Sequence, residues 1–416
     1  MAEPGVSGDT PQLSISGQNR VLVVLCGTQI VSWGVLYYAF PILAPSIAAD
    51  TGWSVPAVTA AFSVGLVVSA VVGIPAGRLL DRFGPRLVMT AGSVLAVPAV
   101  VIIGSTRSFP LFVTGWVLAG VGMAGTLYPP AFAALTRWWG KRRVTALTAL
   151  TLVAGLSSTV FAPLTAVLLD HLQWQRSYLV LSGLLALLTI PAHYFGLRGP
   201  WPKPDDAEPS AAAEQAPEAI ARSRPFLLLT LAVALGTFTA FAVIVNQVPL
   251  LLERGLTTEL AAWALGLGGL GQVLGRLGYT RLVAATGVRL RGVLILALTA
   301  IATALLGVLP GPGALLIAAA MLAGAARGVL TLLQATAISE RWGGTHYGRL
   351  NGLLSAPAML ATALAPWAGA ALAQALGGYP AVFAVLAGIA AVAALLAAGS
   401  VPPAATTSGW TGRRTR

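Results

Sequence analysis

Landmark residues recur along this chain at one constant separation, 203 positions. Gly52 returns as Gly255, Gly84 as Gly287 and Arg86 as Arg289. Trp139-Gly140 returns as Trp342-Gly343, and Ala162-Pro163 as Ala365-Pro366. A spacing held across such separated landmarks implies duplication of a unit of about 200 residues, so the chain must fold as two like halves. Each half contains several apolar stretches long enough to cross a bilayer, which takes about 20 residues of helix.

Composition excludes an ordinary soluble protein. Hydrophobic residues make up 56% of the chain and charged residues 9%, against roughly 25% charged in soluble domains. Too little polar surface remains to cover a core, so lipid is the solvent of the outer face. The net charge of +12 would suit nucleic acid. Here, however, the basic residues sit in short gaps between apolar runs and act as topology signals, so no nucleic-acid partner is expected. The single cysteine, Cys26, allows no intrachain disulfide. His171, His193 and His346 are scattered, no metal-ligand spacing exists, and no cofactor is implied. Met1 to Asn19 lacks the basic start and short apolar stretch of a cleavable leader. The first span should therefore serve as its own uncleaved signal.

Reading apolar runs between charged or turn-rich gaps gives twelve spans. They fall at 21–45, 56–78, 87–104, 110–135, 144–169, 178–197, 225–252, 261–279, 291–309, 312–338, 347–374 and 380–399. The expected fold is an all-α membrane protein, twelve transmembrane helices in two six-helix pseudo-repeats. Its parts are a tail at 1–20, a bundle at 21–197, a linker at 198–224, a second bundle at 225–400 and a tail at 401–416. The linker's prolines, acids and Ala/Glu/Gln stretch read as a mobile connection. Basic residues orient the chain, because cytoplasmic loops collect lysine and arginine. Alternate gaps hold 20 of them on one side and only Arg107, Arg176 and Arg254 on the other, with Arg276 and Arg327 left inside spans. Both termini and the linker are thus expected in the cytoplasm, with the chain in the cell membrane. A miscounted helix would scramble this asymmetry.

The gap after the second span reads Gly77-Arg78-Leu79-Leu80-Asp81-Arg82-Phe83-Gly84-Pro85-Arg86. Gly77 would let neighbouring helices approach closely, and Gly84 would permit the turn. Asp81, with Arg82 and Arg86 beside it, would pair with basic residues or cap a helix of the other half, a gating latch that breaks as the halves rock. The stretch resembles the signature loop of the major facilitator superfamily, and the resemblance covers nearly the whole chain. In the second half Ala284 stands where the aspartate would be, while Arg281, Gly287 and Arg289 remain. Shorter pieces are similar to the monocarboxylate and oxalate–formate branch. These are Tyr38-Ala39-Phe40-Pro41, the Arg137–Arg143 segment with Trp138-Trp139, Phe161-Ala162-Pro163, Trp174 with Arg176, and Gly275-Arg276.

Two departures bear on coupling. Proton-coupled carriers of that branch have a lysine after the Phe-Pro of span 1, where this chain has Ile42. They also have an aspartate four residues before the span 8 arginine, where this chain has Gln272. The arginine usual in span 4 of proton-driven drug exporters is replaced by Trp116, and their glycine-rich span 5 motif is absent.

Arg276 and Arg327 lie deep within spans, where ionisable groups are costly and usually functional. Arg276 falls roughly 12 Å, and Arg327 roughly 20 Å, from the cytoplasmic helix ends at 1.5 Å per residue. No aspartate or glutamate lies deep in any span to neutralise them. A guanidinium donates two parallel hydrogen bonds to a carboxylate, so these residues point to an anionic substrate, with Arg276 its main ligand. The alternative is that each bonds helix carbonyls or amides such as Gln272 and Gln334. Tyr37, Tyr38, Tyr128, Asn246 and Gln247 could also line a cavity, although intramembrane tyrosines serve equally as interface anchors or packed residues. His193 is expected at an interface near the end of span 6.

The resulting expectation is a monomeric transporter that binds a small organic anion between its halves and alternates access by rocking. Export of a neutral or hydrophobic compound is the competing reading. A membrane enzyme would need a nucleophile, a base or metal ligands converging in the bilayer, and none cluster.

Overall fold

The computed structural model describes residues 13–201, 217–343 and 347–402. The twelve spans are Ile15–Thr51, Val55–Phe83, Pro85–Ser105, Phe109–Trp139, Arg143–His171 and Trp174–Gly196, then Arg224–Glu253, Thr258–Ala285, Val288–Val308, Gly313–Trp342, Tyr347–Leu376 and Tyr379–Ala398. Among the described residues, eleven of these helices are long and apolar enough to cross a membrane. Span 8, Thr258–Ala285, matches them in length but is diluted by its glycines, Gln272 and Arg276. Several helices overrun the apolar runs that mark them; span 1 starts at Ile15 and ends at Thr51. A charged residue ends a hydrophobic run without ending the ladder of backbone hydrogen bonds. Much of the linker and both tails, at 1–12, 202–216 and 403–416, lie outside the described residues; a short helix, Pro217–Ala221, precedes span 7.

Side-chain caps start several spans. Ser54, Ser223 and Thr257 accept from the backbone N–H three residues on, satisfying donors that a first turn leaves free. Three spans are interrupted. Span 1 widens into a π-turn at Gly34–Tyr38, a form frequent at functional sites. Gly34 is required there, because a Cβ would enter the ring of Phe161. Span 4 breaks at Leu127, just before Tyr128-Pro129-Pro130, since proline supplies no N–H to the ladder. Gln29 Nε2 donates to the Thr126 carbonyl at 2.6 Å, at that break. Span 5 is interrupted at Gly155-Leu156.

Spans 8 and 10 touch along their backbones. A Cβ on Gly271, Gly275, Gly324 or Gly328 would collide with the main chain of the other helix. Small residues permit such approach in lipid, where packing must replace the hydrophobic drive. The contact aligns Gln272 with Arg327. Spans 2 and 4 repeat the arrangement through Gly65 and Gly120.

One large apolar cluster joins both halves, with Tyr37, Phe40 and Phe62 beside Val243, Leu250 and Leu265. It lies toward the helix ends opposite the arginine-rich turns. At those turns the cores separate, one around Met89, Trp138 and Leu197, another around Phe226, Ile338 and Leu350. The halves therefore meet on one side of the molecule and part toward the face bearing the basic turns, called here the basic face. On the closed side the Ser63 hydroxyl accepts from the Trp367 backbone N–H at 3.2 Å, and the Thr159 hydroxyl donates to the Gly266 carbonyl at 2.7 Å.

Candidate functional site

Between the halves lies a cavity of about 190 Å³, room for several waters or a small solute. The first half contributes Trp33 beside the π-turn, Tyr38 on it and Tyr128 at the span 4 break. Gln272, Arg276 and Arg327 come from the span 8 and 10 pair. Thr331 and Met359, both exposed, form walls on the side of the basic face, so the cavity opens that way.

The two arginines are held differently. Arg327 donates through Nε at 3.1 Å and Nη2 at 2.7 Å to the single oxygen Gln272 Oε1. A neutral amide thus orients the guanidinium without cancelling its charge. Arg276 donates from Nη1 to the carbonyl of Thr151 in span 5 and bonds the Tyr128 side chain, so it bridges the halves. Its Nε is buried without a hydrogen-bond partner. Both side chains are over nine-tenths buried, and no aspartate or glutamate lines the cavity among the described residues. The protein thereby keeps two cationic groups in a partly dry space where their field is strong.

Of the residues singled out in the sequence, Tyr38, Tyr128, Gln272, Arg276 and Arg327 meet in this cavity. Tyr37 and Asn246 do not reach it. Tyr37 is packed in an aromatic group with Trp33, Tyr38, Phe62 and Phe241, because the π-turn rotates it toward the closed side. Asn246 lies against Gly369 of span 11 and donates to Ala242 of its own helix at 2.9 Å. Gln247 borders a separate small void beside Arg327. Trp33, Phe241, Thr237 and Thr362 line the cavity without having been anticipated. The Pro129-Pro130 break was a legible signal for Tyr128; nothing in spacing marks Thr237 or Thr362.

The signature loop lies at the basic face. Asp81 pairs with Arg137 at the end of span 4, within the first half, in a molecule whose halves stand apart at this face. Spans 2 and 4 are neighbours, which brings Arg137 to Asp81. Gly77 sits in open space, where a Cβ would meet nothing within 4 Å, and so makes no close helix contact. Gly84 does serve the turn, at φ 78° and ψ 169°. Arg82 lies over the Phe83 ring, and Arg86 donates to the Tyr194 carbonyl at 2.8 Å. The second half carries an ion pair at the same face, in which one member occupies the repeat position of Arg137. Glu340, 203 positions after Arg137, stands 2.6 Å from Arg291 Nη2. His193 is fully buried between spans 3 and 6, hydrogen-bonded to Ser93 at 2.8 Å, rather than at an interface.

The family model of the Major Facilitator Superfamily matches residues 25–314 and 281–415. The chain belongs to that superfamily. This major facilitator is 31% identical over 248 residues to monocarboxylate transporter 13 of Bos taurus, covering 59% of this chain and 55% of that one. It is 29% identical over 231 residues to the multidrug resistance protein MdtL of Klebsiella pneumoniae (strain 342), covering 54% and 56%. The matches span little more than half the length of either relative. Among solved structures, a bacterial homolog of the human lysosomal transporter Spinster superposes with a TM-score of 0.70 at 16% identity, covering 93% of this chain and 95% of that one. The superfamily fold and a transporter's architecture are thus common to all three comparisons.

Proposed function

We propose that this major facilitator carries a small organic anion, a carboxylate, bound between its halves and released by alternating access. It works as a monomer in the cell membrane, with the basic face and both termini in the cytoplasm. One observation carries the reading: Arg276 and Arg327 line the same cavity, and no carboxylate of the described chain shares it. A carboxylate offers paired acceptors to a guanidinium fork, and such charge-assisted bonds are about twice as strong as neutral ones. Arg276, which lines the cavity and reaches both halves, is the principal ligand. The name of the bovine relative, a monocarboxylate transporter, supports the same class. With Ile42 and Gln272 at the positions that would bear a lysine and an aspartate, the usual proton-coupling pair is missing. Anion exchange, facilitated diffusion or a different proton site remains as the coupling mode.

The apolar part of the wall, Trp33, Phe241, Leu330 and Met359, together with the likeness to MdtL, favours a second reading. In it the cargo is a neutral or hydrophobic compound moving outward. Uptake into proteoliposomes separates the two, comparing a labelled monocarboxylate with its uncharged amide. The carboxylate should be transported and the amide ignored. Arg276→Lys keeps the charge but loses the planar fork, and should impair transport severely while the protein still inserts. Equal handling of acid and amide, or unaltered kinetics in Arg276→Lys, would overturn the assignment.

A further inference from the structure

A second concavity lies outside the cavity between the halves. It is a groove of about 640 Å³ on the first half, between spans 3 and 6 and the chain leaving span 6. One wall is the stripe Leu87, Ala91 and Val94, spaced one helical turn apart and all exposed. The opposite wall holds Tyr194 and Trp201. Leu87 to Val94 covers roughly 10 Å of helix, starting at the basic face and running toward the membrane centre. Half of a hydrocarbon core is about 15 Å, so the groove matches the upper part of one acyl chain.

Its mouth is strongly cationic. The guanidinium of Arg86 sits 4.3 Å from the Tyr194 ring centroid, and that of Arg198 sits 5.8 Å from the same ring. Arg20 reaches in from span 1 to donate to the Arg198 carbonyl. None of the three joins an ion pair among the described residues, and no carboxylate lines the groove. Arg86 commits Nε to the Tyr194 carbonyl, which fixes its plane and leaves both terminal nitrogens. Apolar walls of acyl length under a cluster of unpaired arginines match one chemistry: an anionic phospholipid, tail in the groove and phosphate at the mouth.

We propose that this groove is a binding site for an anionic phospholipid of the leaflet at the basic face, held by Arg86 and Arg198. The choice of a lipid over a soluble phosphate rests on the exposed Leu87–Val94 stripe, which a headgroup alone would leave uncovered. Each basic residue near an anionic surface contributes about fivefold to affinity.

The test is native mass spectrometry of the full chain, extracted from bilayers of equal phosphatidylglycerol and phosphatidylethanolamine. The wild-type protein should retain phosphatidylglycerol in preference. The pair Arg86→Gln and Arg198→Gln should lower that preference by about tenfold or more. Ala91→Trp fills the groove from an exposed position and should reduce retention with the arginines intact; a matching rise in melting temperature with added phosphatidylglycerol should vanish in the same variants. Equal retention of both lipids by the wild type, or retention and melting unaffected in the double and groove-filling variants, would refute the site. Binding restored by soluble glycerophosphate alone would likewise exclude a lipid.

Discussion

The contact between spans 8 and 10 can be perturbed by one methyl group. A Cβ on Gly324 would stand 2.7 Å from the carbonyl carbon of Gly268 and 2.9 Å from its Cα. Non-bonded carbons settle at about 3.5–4.0 Å, so Gly324→Ala must drive the helices apart by roughly 1 Å. Overpacking of that kind costs about 1–3 kcal/mol. The separation also acts on the site. Arg327 lies one turn along from Gly324, and its Nη2 is 2.7 Å from Gln272 Oε1. Opened by roughly 1 Å, that bond passes beyond the usual limit of about 3.2 Å. A guanidinium released in this way must be reordered by the substrate at about 1–2 kcal/mol, a five- to thirtyfold loss of carboxylate affinity. Gly278→Ala, on the partner helix of span 8, is the control, since nothing lies within 4 Å of its Cβ position. Thermal unfolding in detergent and calorimetric titration with a monocarboxylate would measure both effects. If Gly324→Ala melts and binds as Gly278→Ala does, the backbone contact does not set the geometry of Arg327.

Two further outcomes test the turns at the basic face. Gly84→Ala should cost about 1–3 kcal/mol, since its backbone angles lie in a region essentially reserved for glycine, whereas Gly77→Ala should leave the melting temperature unchanged. The two ion pairs at the basic face should also differ in worth. Asp81 is 57% exposed in its pair, so Asp81→Asn should cost under about 1 kcal/mol. Arg291 is only 4% exposed, so Glu340→Gln leaves a buried charge unmatched and should cost about 3 kcal/mol. Comparable melting shifts for these two variants would show that burial does not govern them.

Much of this molecule is legible before folding is considered. Twelve spans follow from apolar length alone, and even glycine-diluted span 8 is found because charged gaps bracket it. Arg276 and Arg327 stand out because a charge within an apolar run is conspicuous in one dimension. Tyr37 and Tyr38 do not separate in the same way. They are adjacent in sequence, yet the π-turn directs one into packing and the other into the cavity. The ion pair of Asp81 was similarly open, because either half offers arginines and only proximity selects Arg137.

The solvent, the duplication, the helix count and the surplus of positive charge within spans all depend on local composition or on constant spacing, and so can be read from one dimension. Which side chains share the cavity depends on how the helices pack. Helix breaks, backbone contacts at Gly268 and Gly324, and the meeting of two halves on one side set directions that no single segment contains. A helix rotates by about 100° per residue, so one unforeseen π-turn or break reassigns every face beyond it.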